Sequence, residues 1–146
     1  MDGLPEGDWS PWLALEQAIA VAPRTPGVYV ARERSTARLV YVGMAGPRRG
    51  QGLRGRLRVY LSGKAAVSGL GEAALDRALA DEEWLRQMTE RTCSSGPMRA
   101  TQWAQAALTR ADLEVRFTST PDKASAASLE RQVIAAINFG LWNRRR

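Results

Sequence analysis

The stretch from Gly27 to Leu61 constrains the fold of this chain more than any other. It opens as Gly27-Val28-Tyr29-Val30-Ala31, crosses the polar segment Glu33 to Ala37, and resumes as Leu39-Val40-Tyr41-Val42-Gly43. Both apolar runs are rich in β-branched and aromatic residues, and the polar piece between them is short enough for a hairpin loop. Side chains alternate along a strand, so Val28 and Val30 share one face while Tyr29 points from the other. Tyr41 opposes Val40 and Val42 in the same way. The pattern predicts a hairpin with both tyrosines on one face and the valines in the core. A glycine-broken basic loop follows, from Gly46 to Gly52. From Leu53 the apolar period becomes helical, with Leu53, Leu57 and Leu61 in one stripe. Arg56 and Tyr60 are then neighbours on that helix, and Ser62-Gly63 ends it.

The flanking segments supply cover. Gly3, Pro5 and Gly7 make residues 1–10 read as loosely attached. Ser10-Pro11 predicts the start of an N-terminal helix through Trp12, Leu15, Ile19 and Ala22, closed by Pro23 and Pro26. Residues 64–112 read as mainly helical. Leu75, Leu79, Leu85 and Met88 predict one helix from Glu72 to Met88, Thr92 to Pro97 a loop, and Thr101 to Thr109 a second helix. Leu113, Val115 and Phe117 alternate with Glu114, Arg116 and Thr118, which predicts a third strand. Thr120-Pro121 begins a last helix, from about Asp122 to Phe139. Leu129, Val133 and Ile137 form its stripe, with Glu130 at the shoulder. Gly140 ends it, and Leu141-Trp142-Asn143 follows. The reading is one domain over 1–146, with a core at about 26–61 and 113–143 and a helical insertion at about 64–112.

Composition restricts the chemistry. The chain has 146 residues, no histidine and one cysteine, Cys93. Intramolecular disulfides, Cys/His zinc sites and Ser-His-Asp or Cys-His machinery are therefore excluded. Acid–base chemistry falls to Tyr, Lys, Asp or Glu, and a hard metal ion to oxygen ligands. No apolar run approaches the ~18 residues of a membrane span, and Asp2, Glu6 and Asp8 do not suit a secretory signal, so the expected compartment is cytoplasmic. The net charge is +6. Residues 44–64 hold Arg48, Arg49, Arg54, Arg56, Arg58 and Lys64 with no acid, whereas 71–90 is acidic. A polarised basic surface of this kind suits phosphate binding.

Taken singly, these residues are ordinary strand tyrosines, helix arginines and turn asparagines. Their order is more specific. Gly27-Val28-Tyr29, Tyr41-Val42-Gly43, Arg56 in the next helix, Glu130 in a late helix and Asn143 after it together resemble the GIY-YIG endonuclease superfamily. The resemblance implies an α/β (α+β) fold: a small three-stranded antiparallel sheet flanked by helices. It implies metal-dependent hydrolysis of DNA phosphodiesters, with one Mg²⁺ or Mn²⁺ per active site held by Glu130. The catalytic set it implies is Tyr29, Tyr41, Arg56, Tyr60, Glu130 and Asn143. Gly43, Arg48, Arg49, Arg54, Arg58, Arg144 and Arg145 are the expected DNA contacts. Met44 and Gly55 stand near places where some members carry a lysine. A homodimer is an open partner, because cutting both strands with one site per chain needs two chains or two events. The alternative is a catalytically inactive DNA-binding or assembly module on the same fold.

The chemistry also requires geometry. Two phenols, a guanidinium and a carboxylate, distant in sequence, are expected to meet around a phosphate-sized gap. With no histidine, a tyrosine is the expected proton acceptor. Its ordinary pKa of ~10 is too high at neutral pH, and Arg56 and the metal are expected to lower it.

Overall fold

The computed structural model describes residues 3–144. Its elements run β1 (Leu13–Ala14), α1 (Leu15–Val21), β2 (Gly27–Glu33), β3 (Leu39–Ala45), a 3₁₀ turn (Arg48–Gly50), α2 (Gly52–Leu61), α3 (Gly69–Leu79), α4 (Glu82–Ser95), α5 (Ala100–Ala111), β4 (Leu113–Ser119) and α6 (Lys123–Ile137). The four strands form one antiparallel sheet in the order β1-β4-β2-β3. Among the described residues, no helix is long and apolar enough to cross a membrane.

This corrects the expected three-stranded sheet with a helix beginning at Ser10. Among the described residues the sheet has four strands, and no helix covers residues 3–14. The reason lies in the outer edge of β4, whose backbone groups need partners. Leu13 and Ala14 pair with Val115 and Glu114. Ser10 N–H donates to the Phe117 carbonyl at 2.8 Å, and the Ser10 hydroxyl, expected as a helix cap, accepts from Phe117 N–H at 3.0 Å. The preceding residues are not loose either. Leu4, Trp9 and Trp12 pack against the valine side of the sheet, and Thr118 Oγ1 donates to the Asp8 carbonyl.

The helical boundaries differ in a similar way. The single helix expected from Glu72 to Met88 breaks into α3 and α4, because Asp81 caps α4 by accepting from Trp84 N–H. The last helix is capped by Asp122, which accepts from Ser125 N–H at 2.7 Å, rather than by Thr120.

The two sheet faces carry separate layers. Val28, Val30, Val42 and Val133 form the core beneath α6. Tyr29, Ala31, Val115 and Phe117 face the other way, against Leu53, Leu57 and Tyr60 of α2. Val40 breaks the expected alternation. Ala31 pairs with Tyr41 and Arg32 with Leu39, so Val40 is the extra residue of a β-bulge. It packs on the tyrosine side with Tyr41.

Candidate active site

Arg56 and Tyr60 lie one turn apart on α2, with the Arg56 guanidinium carbon 4.7 Å from the centre of the Tyr60 ring. The start of that helix is fixed by backbone: Leu53 N–H donates to Thr25 and Arg54 N–H to Pro23. From the sheet, Tyr29 meets Tyr60 in a T-shaped pair, ring centres 5.9 Å apart, and lies near-parallel to Tyr41, ring centres 6.3 Å apart. The Tyr29 and Tyr60 hydroxyls are hydrogen-bonded to each other. Gly43 is directly opposite Tyr29 on β3, and any Cβ there would overlap the Tyr29 phenol. The glycine of the second motif is thus a seat for the tyrosine of the first.

Tyr29, Tyr41, Tyr60 and Arg56 therefore come together as expected. Their surroundings differ from expectation. Tyr29 and Tyr60 are 1% and 0% exposed. Burial holds the Tyr29 pKa well above its usual value, with Tyr60 and Tyr41 adding to the rise and Arg56 opposing it. The expected lowering by Arg56 loses to desolvation. Burial also works against the charge on Arg56, but Tyr29 and Tyr60 outweigh it and raise that pKa.

The cover over these phenols comes from the insertion. Gly69, at φ 55°, opens α3 against them. Leu70 N–H donates to Tyr60 Oη at 3.3 Å. A Cβ placed on Gly69 would lie 2.5 Å from both Arg56 Nη2 and Tyr60 Oη and 3.3 Å from Tyr41 Oη. This contact is not legible in the sequence. It is made by backbone atoms, which leave no side-chain pattern, and the apolar period predicts a helix start at Glu72, three residues later.

Asn143 lies at the sheet edge. Its Oδ1 accepts from Val42 N–H at 3.1 Å and its Nδ2 donates to the Val42 carbonyl at 2.7 Å. Trp142 N–H donates to the Val40 carbonyl at 2.6 Å. The tail thereby crosses the edge of β3, with Leu141 packed on the valine side and Trp142 on the tyrosine side. Asn143 supports the strand that carries Tyr41.

Glu130 is placed differently from the phenols. It is half-buried on α6, on the side of the helix shared with the buried Ala126 and Val133, and α6 packs on the valine face of the sheet. Gly46 faces Lys123, and Gly140 faces Arg38, so α6 runs antiparallel along the edge strand β3. At ~1.5 Å per helical residue and ~3.3 Å per strand residue, Glu130 comes about level with Gly43. The helix that carries Glu130 and the phenols are in opposite layers, and the way between them is around the edge of β3.

The expected DNA contacts also divide. Arg48, Arg49 and Arg58 are exposed. Arg54 turns inward, donating to the Ala22 carbonyl at 2.8 Å and the Ala20 carbonyl at 3.5 Å at the end of α1. Arg144 pairs with Glu72 at 2.7 Å and Asp76 at 3.5 Å on α3. Arg145 lies outside the described residues.

Among the described residues, no three acids, histidines or cysteines gather into a metal site. Glu130 fits a hard divalent ion in kind, as one carboxylate whose coordination would be completed by water and phosphate oxygens. Comparison with protein-family models, with curated proteins and with solved structures found no match.

Proposed function

We propose that the chain is a divalent-metal-dependent DNA endonuclease of the GIY-YIG kind. The observation that supports this most is the convergence of Arg56 Nη2, Tyr60 Oη and Tyr41 Oη around one point beside Gly69. Measured from the position that a Cβ on Gly69 would take, these three polar atoms lie 2.5 to 3.3 Å away, so they face one small space. Hydrolysis needs a positioned water, neutralised phosphate charge and a stabilised leaving oxygen. Arg56 offers a planar fork of donors to the phosphate, and its charge acts most strongly as negative charge develops there. Tyr41 and Tyr60 orient the attacking water. Tyr29, which resists ionisation where it lies, holds the Tyr60 oxygen in place, and Tyr60, once its own proton has passed to solvent, would take the proton of the attacking water as a phenolate and return to the phenol. Glu130 would hold Mg²⁺ or Mn²⁺, which when bound supplies Lewis-acid stabilisation. Arg48, Arg49 and Arg58 bind the backbone of the duplex.

The packing of the Glu130 helix on the face away from the phenols favours a second reading, a DNA-binding or assembly module without turnover. Supercoiled plasmid with Mg²⁺ or Mn²⁺ separates the two. Arg56→Ala and Glu130→Ala are each expected to slow cleavage by about 10²-fold or more. Wild-type rates in both would reject the site. Salt-sensitive duplex binding without cleavage under either ion would leave the module. A nicked rather than linear product would speak against two sites acting together in a dimer.

A further inference from the structure

A phosphate cannot reach hydroxyls that are 0 to 1% exposed. The place where Arg56, Tyr60 and Tyr41 converge is taken by the backbone of Gly69. Glu72 and Asp76 follow within two turns on the same helix, and both are paired to Arg144. The Arg77 guanidinium lies 4.6 Å from the centre of the Trp142 ring. The tail that makes these contacts is anchored on β3 through Val40 and Val42.

Resting on that reading of the site, we propose that the start of α3 is an autoinhibitory plug, strapped shut by the C-terminal tail and released by nucleic-acid phosphates. Three features of the molecule point this way. The plug fills the space with backbone, at the one residue type that leaves room beside Arg56 and Tyr60. The strap is electrostatic and reachable, since the Arg144 side chain is 73% exposed. Its charges are also of the right sign for the trigger. A phosphate backbone arriving over β3 competes for Arg144 and at the same time repels Glu72 and Asp76, so one event weakens the strap and pushes on the helix. When the plug withdraws, a phosphate oxygen can take the place beside Arg56, Tyr60 and Tyr41.

Amide hydrogen exchange of the full chain at low salt, with a chelator present, tests this without relying on cleavage. The reporter is the Leu70 amide, whose acceptor is Tyr60 Oη. Arg144→Glu, which replaces attraction to Glu72 and Asp76 by repulsion, is expected to speed its exchange roughly five- to tenfold, with Arg144→Gln intermediate and the β2 amides unchanged. A duplex oligonucleotide added to wild type is expected to produce the same acceleration. Wild-type exchange in Arg144→Glu overturns the strap. A duplex that leaves Leu70 unchanged or slower, including one that does not bind, overturns release by phosphate. Faster Leu70 exchange in a chain that never cleaves plasmid would retain the plug and discard the nuclease.

Discussion

Replacing Asn143 by alanine is the most direct test of how the sheet edge is built. The side chain acts as a short strand, accepting from Val42 N–H and donating to the Val42 carbonyl. Two such bonds are worth about 1–3 kcal/mol net, and water entering the truncated edge recovers part, so Asn143→Ala should cost about 1–2 kcal/mol. In a domain of this length that lowers the melting temperature by roughly 3–10 °C. Asn143→Asp sharpens the test. A carboxylate still accepts from Val42 N–H but faces the carbonyl that lies 2.7 Å from the amide nitrogen. At neutral pH it should therefore be no more stable than the alanine variant. Protonated, it can donate to that carbonyl, so its folded-state pKa is raised above the ordinary ~3.9. The sign follows: the recovered stability is present below about pH 4 and is lost as pH rises through the folded-state value. Urea unfolding from pH 3 to 8 reads both effects. An alanine variant within about 0.3 kcal/mol of wild type, or an aspartate variant equal to wild type at pH 7, would refute the strand-like role.

Three further outcomes follow from the same geometry. Gly43→Ala forces a methyl into the Tyr29 phenol and should cost about 1–3 kcal/mol in urea unfolding, whereas an unshifted midpoint would mean that Tyr29 does not rest there. Arg49 sits at φ 55°, ψ 40°, so Arg49→Gly should gain about 0.5–1 kcal/mol while reducing the salt slope of duplex binding by about 1; unchanged affinity and slope would show that the strained turn serves no phosphate contact. The Tyr29 pKa is raised by burial, so its contribution is fully present below the unfolded value near ~10 and is lost as pH climbs towards the folded one. Tyr29→Phe should then lose less stability than wild type between neutral and strongly alkaline pH, and parallel losses would contradict the buried phenol.

The hairpin and the α2 stripe were legible because burial follows period. Alternation separated Tyr29 from Val28 and Val30, and the spacing of four placed Arg56 beside Tyr60. Two features overrode local pattern. Ser10-Pro11 has the composition of a helix start, but β4 has an open edge that needs backbone partners, and residues 10–14 supply them. Val40 should have shared a face with Val42, but the bulge opposite Ala31 turns it to the tyrosine side. Nor could the cation count distinguish Arg54, which is used at the end of α1, from Arg48 and Arg49, which remain exposed. Desolvation of the phenols was out of reach for the same reason as Gly69: the covering atoms belong to backbone of a segment distant in sequence.

The layer separation of Glu130 makes its relation to Arg56 the quantity to measure. Counted along the edge strand, Glu130 stands about level with Gly43, the seat of Tyr29, and the route between the layers runs around that edge. If the carboxylate and the guanidinium act on one phosphate around that edge, they function as a unit. The double variant Arg56→Ala/Glu130→Ala should then cleave plasmid no more slowly than the worse single variant, because losing either member already disables the site. If Glu130 acts elsewhere, or only supports the packing of α6, the two losses multiply and the coupling vanishes. Multiplicative losses would separate Glu130 from the phosphate that Arg56 holds, and the metal would have to be sought on the tyrosine side of the sheet.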